Sequence, residues 1–262
     1  MSRKTILEIQ DLKIYFNLES GINKVVDGLS LEIQESEILS LVGGSGSGKT
    51  ITGLTILRLQ PAQAKVVSGK IIWQEKNIFQ LSYDQMRSIR GKEISMIFQE
   101  PLTSFNPVFS IGYQIAEVLK YHTDIKQKEI KKYSIELLKK VGISQAEKII
   151  NDYPHQLSGG LRQRAMIVQA IAAKPKLIIA DEPTSNLDVT LQAQILELFK
   201  ELRDSLGLSI LLITHDLAVV SKLADTVAII HRGKIIEHGK TKEILNQPRE
   251  IYTKQLLEAV SV

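Results

Sequence analysis

Four glycines, two serines, a lysine and a threonine make up Gly43-Gly44-Ser45-Gly46-Ser47-Gly48-Lys49-Thr50. Glycine at this density lets the backbone wrap closely round a ligand, so that successive N–H groups turn inward and form a nest for an anion. The run follows the apolar LSLV and opens an apolar, helix-like stretch, ITGLTIL. A helix N-terminus, with its partial positive charge, therefore faces the same point. G-x-x-x-x-G-K-[ST] between a strand and a helix predicts a cradle for the phosphates of a nucleoside triphosphate. In that chemistry Lys49 reaches the β- and γ-phosphates, and the Thr50 hydroxyl binds Mg²⁺.

A phosphate loop needs a carboxylate for its metal. KLIIADEP supplies a pair, where the apolar Leu177-Ile178-Ile179-Ala180 ends at Asp181 and Glu182. A strand end beside the phosphate loop is expected to hold Asp181 near Mg²⁺ and to aim Glu182 at an attacking water as general base. His215 follows the apolar LSILLIT, and Gln99 follows ISMIF. Both stand where strands end, His215 as a candidate γ-phosphate ligand and Gln99 as a metal or water contact. Alone, a histidine or glutamine there is as readily structural.

The elements that must position these groups are legible from pattern. LEIQDLKIYF, NKVVDGLSLEI and EILSLV read as strands, and so do KIIW, ISMIF, KLIIA, LSILLIT and TVAIIH. Helices are expected just after Gly48, over SYDQMRSIRG, over much of 105–172, from Val189 to about Leu206, and after Asp216. Alternating strands and helices imply an α/β fold with a mostly parallel sheet covered on both faces. To that core the sequence adds a β-rich, antiparallel N-terminal layer and an inserted helical segment. The expected organisation is one domain, with 1–104 and 173–262 as catalytic core and about 105–172 as helical subdomain.

The chain has 262 residues, 44% hydrophobic and 24% charged, enough for a substantial core. It has no cysteine, which excludes disulfides and thiolate metal sites. MSRKTILEIQDL lacks the apolar core of a signal peptide, and no apolar run reaches the ~18 residues of a membrane span. A soluble protein is expected, touching a membrane only through partners or its surface. The formal charge of +4 is mild. In the most basic stretch, KQKEIKKYSIELLKK, the apolar residues fall at helical spacing, so the lysines read as a solvated face and nucleic acid is not an expected partner.

LSGGLRQR, residues 157–164, narrows the reading. Together with GGSGSGKT, Gln99, ADEP, NLD and THD in this order, it makes the whole chain resemble the ATP-binding subunit of an ABC transporter. That resemblance implies a P-loop NTPase ABC cassette, in which two cassettes face head to tail and each ATP lies between one phosphate loop and the LSGG of the other. Ser158, Gly159, Gly160 and Asp188 would then touch the ATP of the partner. Ser158 is also expected to cap the helix LRQRAMIVQAIAA. Gln99 matches the segment that links ATP to the membrane subunits. The aromatic that stacks on adenine should lie in LKIYF, where Phe16 fits the family register better than Tyr15.

IFQEPLTSFNP, DYPHQLSGG and IYTKQLLEAV are similar to the peptide and nickel importer branch. The implied partners are a second cassette (a paralogue rather than a second copy), two transmembrane permease subunits and, indirectly, an extracytoplasmic solute-binding protein. The implied place is the cytoplasmic face of the membrane. Gly44 stands where many members carry Glu, Ser36 where Gly is usual, and Asn186 where Ala is common. The first two are expected only to adjust loops, and Asn186 to bear on cross-talk between the two sites. The short tail and the lack of cysteine lean toward shorter members, some of them importers of nickel or metal chelates. Soluble ABC ATPases of ribosomes or DNA need two cassettes or long coiled-coil insertions, and neither is visible.

Overall fold

The computed structural model describes residues 4–18, 21–185 and 187–259. These fall into two compact units, one within Met1–Arg87 and Arg203–Val262, the other Ser88–Leu202.

In the first unit β1 (Thr5–Leu18) lies between β2 (Gly21–Gln34) and β4 (Ala64–Trp73), with the short β5 (Lys76–Asn77) on the outer side of β4. All these pairings are antiparallel, as the sequence predicted for the N-terminal layer. Leu7 and Ile9, and beyond an irregularity in the pairing Leu12 and Ile14, are buried in alternating pairs, the signature of a sheet with one face on the core.

The same unit holds β3 (Ile38–Val42), flanked by β8 (Ser209–Thr214) and β9 (Thr226–His231), both parallel to it. Every residue of β3 and β8 is buried, which is why these strands read as largely apolar runs without alternation. β10 (Lys234–Lys240) pairs antiparallel with β9, an element the sequence reading did not include. Its turn, Arg232-Gly233, has φ of 47° and 76°, the left-handed pair that a two-residue hairpin requires. Two further helices, Thr241–Asn246 and Ile251–Glu258, were also unforeseen. Tyr252, Leu256 and Leu257 of the last one pack on a core that includes Val42, Val220 and Ile229.

Ser36 has φ 56°, the region that favours glycine, so the serine there carries backbone strain. Two hydrogen bonds oppose it: Ser36 N–H to the Ser209 hydroxyl at 2.9 Å, and the Ser36 hydroxyl to Gly207 C=O at 3.2 Å.

In the second unit β6 (Ile94–Ile97) and β7 (Leu177–Asp181) pair in parallel. Around them run the helices Ile111–His122, Gln127–Lys140 and Gly159–Ile171, which lie in the segment expected to be helical. Gln127–Lys140 buries Ile130, Ser134, Leu137 and Leu138 on one side, leaving its lysines to solvent. No helix among the described residues is long and apolar enough to cross a membrane.

Candidate functional site

In the first unit, residues 43–48 leave the C-terminal end of β3 and enter the helix Lys49–Ile56. Packing dictates the glycines. A Cβ on Gly43 would lie 2.3 Å from Ile230 C=O, and one on Gly48 would lie 2.7 Å from Val25 C=O. Gly46 and Gly48 also have φ of 74° and 107°. The register Val42↔Ile229 explains the first contact, because the next residues, Gly43 just past β3 and Ile230 within β9, stand at one level.

Lys49 is 8% exposed, and its ammonium donates to Gly43 C=O at 2.7 Å and Gly44 C=O at 2.9 Å. Thr50 is exposed in the first turn of the helix. The helix itself offers no acceptor to its first N–H groups. Ser47 N–H reaches Gly44 C=O, Gly233 N–H reaches Ser47 C=O, and the buried Ser47 hydroxyl has no hydrogen-bond partner among the described residues. A glycine cradle with no room for a Cβ at Gly43 or Gly48, a buried lysine and an orphaned hydroxyl fit the phosphates of a nucleotide.

His215 belongs to the same place. Val42 pairs with Thr214, so Gly43 and His215 emerge side by side from adjacent parallel strands. His215 is exposed there, and Asp216 caps the next helix, Leu217–Leu223, by accepting from Ala218 and Val219 N–H.

Tyr15 and Phe16 lie on β1, both half-buried. The Tyr15 hydroxyl donates to Asp27 at 2.7 Å, and the Lys24 ammonium stands 5.4 Å from its ring centre. That hydrogen bond raises the Tyr15 pKa; it also holds the Asp27 carboxyl below the usual range, helped by Lys24, Lys234 and Lys13.

The second unit carries the other predicted residues. Ile97 pairs with Ala180, so Gln99 and Glu182 each stand two residues beyond matched positions of parallel strands. Asp181 is 2% exposed at the end of β7, and Gln99 is exposed. Glu182 is half-buried with φ 47°, a left-handed conformation rare for a non-glycine residue. Its C=O accepts from the Ser185 N–H at 3.1 Å and hydroxyl at 2.8 Å, closing a tight turn. Strained backbone is concentrated at functional sites, where the surrounding structure over-determines it.

Ser158 caps Gly159–Ile171 as expected, its hydroxyl accepting Leu161 N–H. Asp188 does the same for Val189–Leu206, accepting Leu191 N–H at 2.8 Å, a role the sequence reading missed. The two caps are neighbours, because a Cβ on Gly160 would meet Leu191 at 3.1 Å. Ser158 and Gly159 are exposed and Gly160 is buried. Asn186 lies outside the described residues.

Sequence reasoning also missed Tyr252. Its hydroxyl accepts the Gly44 N–H at 3.0 Å, and its ring lies 3.9 Å from that of His231. The signal was the helical spacing of Tyr252 and Leu256 in IYTKQLLEAV.

A glycine cradle at the end of a buried parallel strand, with a buried lysine and a register-matched histidine, defines a P-loop nucleotide-binding protein. The model of the ABC transporter family matches residues 26–185. The oligopeptide transport ATP-binding protein AppD of Bacillus subtilis is 48% identical over 259 residues, 98% of this chain and 79% of that one. OppD of the same organism, also named as an oligopeptide transport ATP-binding protein, is 46% identical over 256 residues, 97% of this chain and 72% of that one. Among solved structures, the ATP-binding cassette MJ0796, a dimer in a post-hydrolysis state with ADP and Pi, superposes with TM-score 0.80 at 26% identity, covering 90% of this chain and 98% of that one. The chain belongs to the ABC transporter family, has the fold of its ATPase cassette, and is an ATPase.

Proposed function

We propose that the protein is the ATP-hydrolysing subunit of an importer and that its cargo class is peptides, carried through two separate permease subunits. The observation that carries this is the similarity to oligopeptide transport ATP-binding proteins over nearly the whole chain, joined to an intact phosphate cradle. Residues 43–50 hold the phosphates of ATP, and Phe16 stacks on adenine, since Tyr15 already serves Asp27 and Lys24. Thr50, Asp181 and Gln99 would hold Mg²⁺, which supplies charge neutralisation to the phosphates. Glu182 takes a proton from water, and His215 senses the γ-phosphate.

Ser158, Gly159, Gly160 and Asp188 serve the ATP of a second cassette. Their placement on one patch, where two helix starts meet, supports this reading. That second cassette is a paralogue, and the pair sits on the cytoplasmic face of the membrane with 105–172 as a helical subdomain. A solute-binding protein delivers cargo on the far side.

Purification of the tagged protein from native membranes in mild detergent, with partners identified by mass spectrometry, tests the reading. Two multi-span proteins, a second cassette and a peptide-binding protein are expected. Recovery of only ribosomes, DNA or other soluble partners from intact membranes would sink the transport assignment while leaving the ATPase standing.

A further inference from the structure

ATP chemistry needs no tyrosine at the phosphate loop, yet one is delivered there from the far end of the chain. The Gly43–Gly44 peptide group is held at both ends. Its C=O accepts the Lys49 ammonium at 2.7 Å, and its N–H donates to the Tyr252 hydroxyl at 3.0 Å. The lysine and the tyrosine thus hold the two ends of one peptide group from different parts of the chain. We propose that Tyr252 is a positioning residue for nucleotide binding, a strut that keeps the first bend of the phosphate loop in its binding shape. The proposal rests on the reading of residues 43–50 as the ATP site.

Three features fix the strut. The Tyr252 ring lies against His231, which ends β9 beside the loop. Its helix is seated by apolar contacts on the core around Val42 and Ile229. The start of that helix is anchored by the buried Glu237 of β10, whose carboxylate accepts Arg249 N–H at 2.8 Å and Glu250 N–H at 3.3 Å. The strut also gives a reason for Gly44. A Cβ there would stand 3.1 Å from the Tyr252 oxygen, tight enough to press on the hydroxyl.

The test is a double-mutant cycle on the full-length protein, with Y252F, G44A and both together. MgATP affinity is read by titration with a fluorescent ATP analogue, alongside KM, kcat and Tm. Y252F keeps the ring and its packing and loses only the hydroxyl. Loss of one neutral hydrogen bond corresponds to about a fivefold rise in Kd and KM, with kcat within about twofold. G44A alone should weaken binding comparably, yet add little in the Y252F background, where no hydroxyl is left to displace. Unchanged affinity in Y252F, or a simple product of the two single effects, would overturn the strut. So would a fall in Tm and kcat with KM untouched. Failure of the wild-type protein to bind MgATP would instead overturn the ATP reading beneath it.

Discussion

Lys49 Nζ lies 2.7 Å from the carbonyl oxygen of Gly43, so the side chain expected to reach the β- and γ-phosphates lies against the loop that carries it. A lysine that is only 8% exposed has already lost much of its hydration. Part of the desolvation cost of binding an anion is therefore met in the fold. Charge-assisted hydrogen bonds of this kind contribute about 1.5–3 kcal/mol each. Lys49→Ala should raise the Kd for MgATP by roughly ten- to a hundredfold, read by equilibrium titration, and reduce phosphate release to background.

Gly48 and Gly159 both stand at helix starts, but only Gly48 is sterically committed. Its φ is 107° and a Cβ would fall 2.7 Å from Val25 C=O, whereas a Cβ on Gly159 meets nothing within 4 Å. Gly48→Ala should cost about 1–3 kcal/mol of stability, by the usual price of enforced strain. At about 2–4 °C per kcal/mol for a chain of this size, calorimetry should resolve it. Gly159→Ala should leave Tm unchanged or raise it slightly, because alanine is the better helix residue. A lower Tm in Gly159→Ala would count against this account of the helix start.

How much of this was readable beforehand follows from the range over which each feature is encoded. The phosphate loop, the LSGG cap and the carboxylates after KLIIA are local runs, so pattern alone located them. Val189–Leu206 was bounded correctly because its apolar face repeats at helical spacing. The Val42↔Thr214 and Ile97↔Ala180 registers, which bring out His215 beside Gly43 and set Gln99 and Glu182 each two residues beyond a matched pair, are properties of pairing and leave no mark in either strand. Tyr252 was hidden most deeply. Its contact with Gly44 spans 208 positions, and the helix that delivers it is anchored by a glutamate on a strand, KIIEHGK, whose sequence does not alternate and so carries no strand signal.

Tyr15 and Phe16 are adjacent on β1 and therefore point to opposite faces, so one substitution in each separates their roles. Base–aromatic stacking is worth about 1–3 kcal/mol by alanine substitution. Phe16→Ala should raise the KM for ATP by at least about fivefold, whereas Tyr15→Ala, which removes the ring together with its bond to Asp27, should leave it within about twofold. The reverse pattern in steady-state kinetics would transfer the adenine contact to Tyr15.

Burial pushes the Glu237 carboxyl up, but the hydrogen bonds it accepts, those of Arg249 and Glu250 N–H among them, outweigh burial, and the Arg249 charge helps hold it below the ordinary glutamate range. A pKa lower in the folded than in the unfolded chain stabilises above the unfolded value, about 4.3, and the contribution fades as pH falls through the folded value. Glu237→Gln should lower Tm near neutrality. Between pH 6 and strong acid the wild-type Tm should fall more than that of the variant, so the two curves converge. Parallel curves would show that the charge on Glu237 has no part in holding the last helix.

Glu182 sits on a left-handed backbone at φ 47°, in a turn closed by Ser185, so its carboxylate is aimed by the fold and not by its own rotamer alone. Glu182→Gln preserves the shape, the backbone and the hydrogen bonds from Ser185 to the residue 182 carbonyl, and removes only the ability to take a proton. If the carboxylate is the general base, the variant should bind MgATP with unchanged affinity and lose roughly a hundredfold or more in turnover, the usual scale of that contribution. It should also accumulate as an ATP-loaded dimer in size-exclusion chromatography, because a closed pair that cannot hydrolyse cannot reopen. Rapid single-turnover hydrolysis by Glu182→Gln would remove Glu182 from the chemistry and reduce its strained turn to a structural feature of the β7 exit.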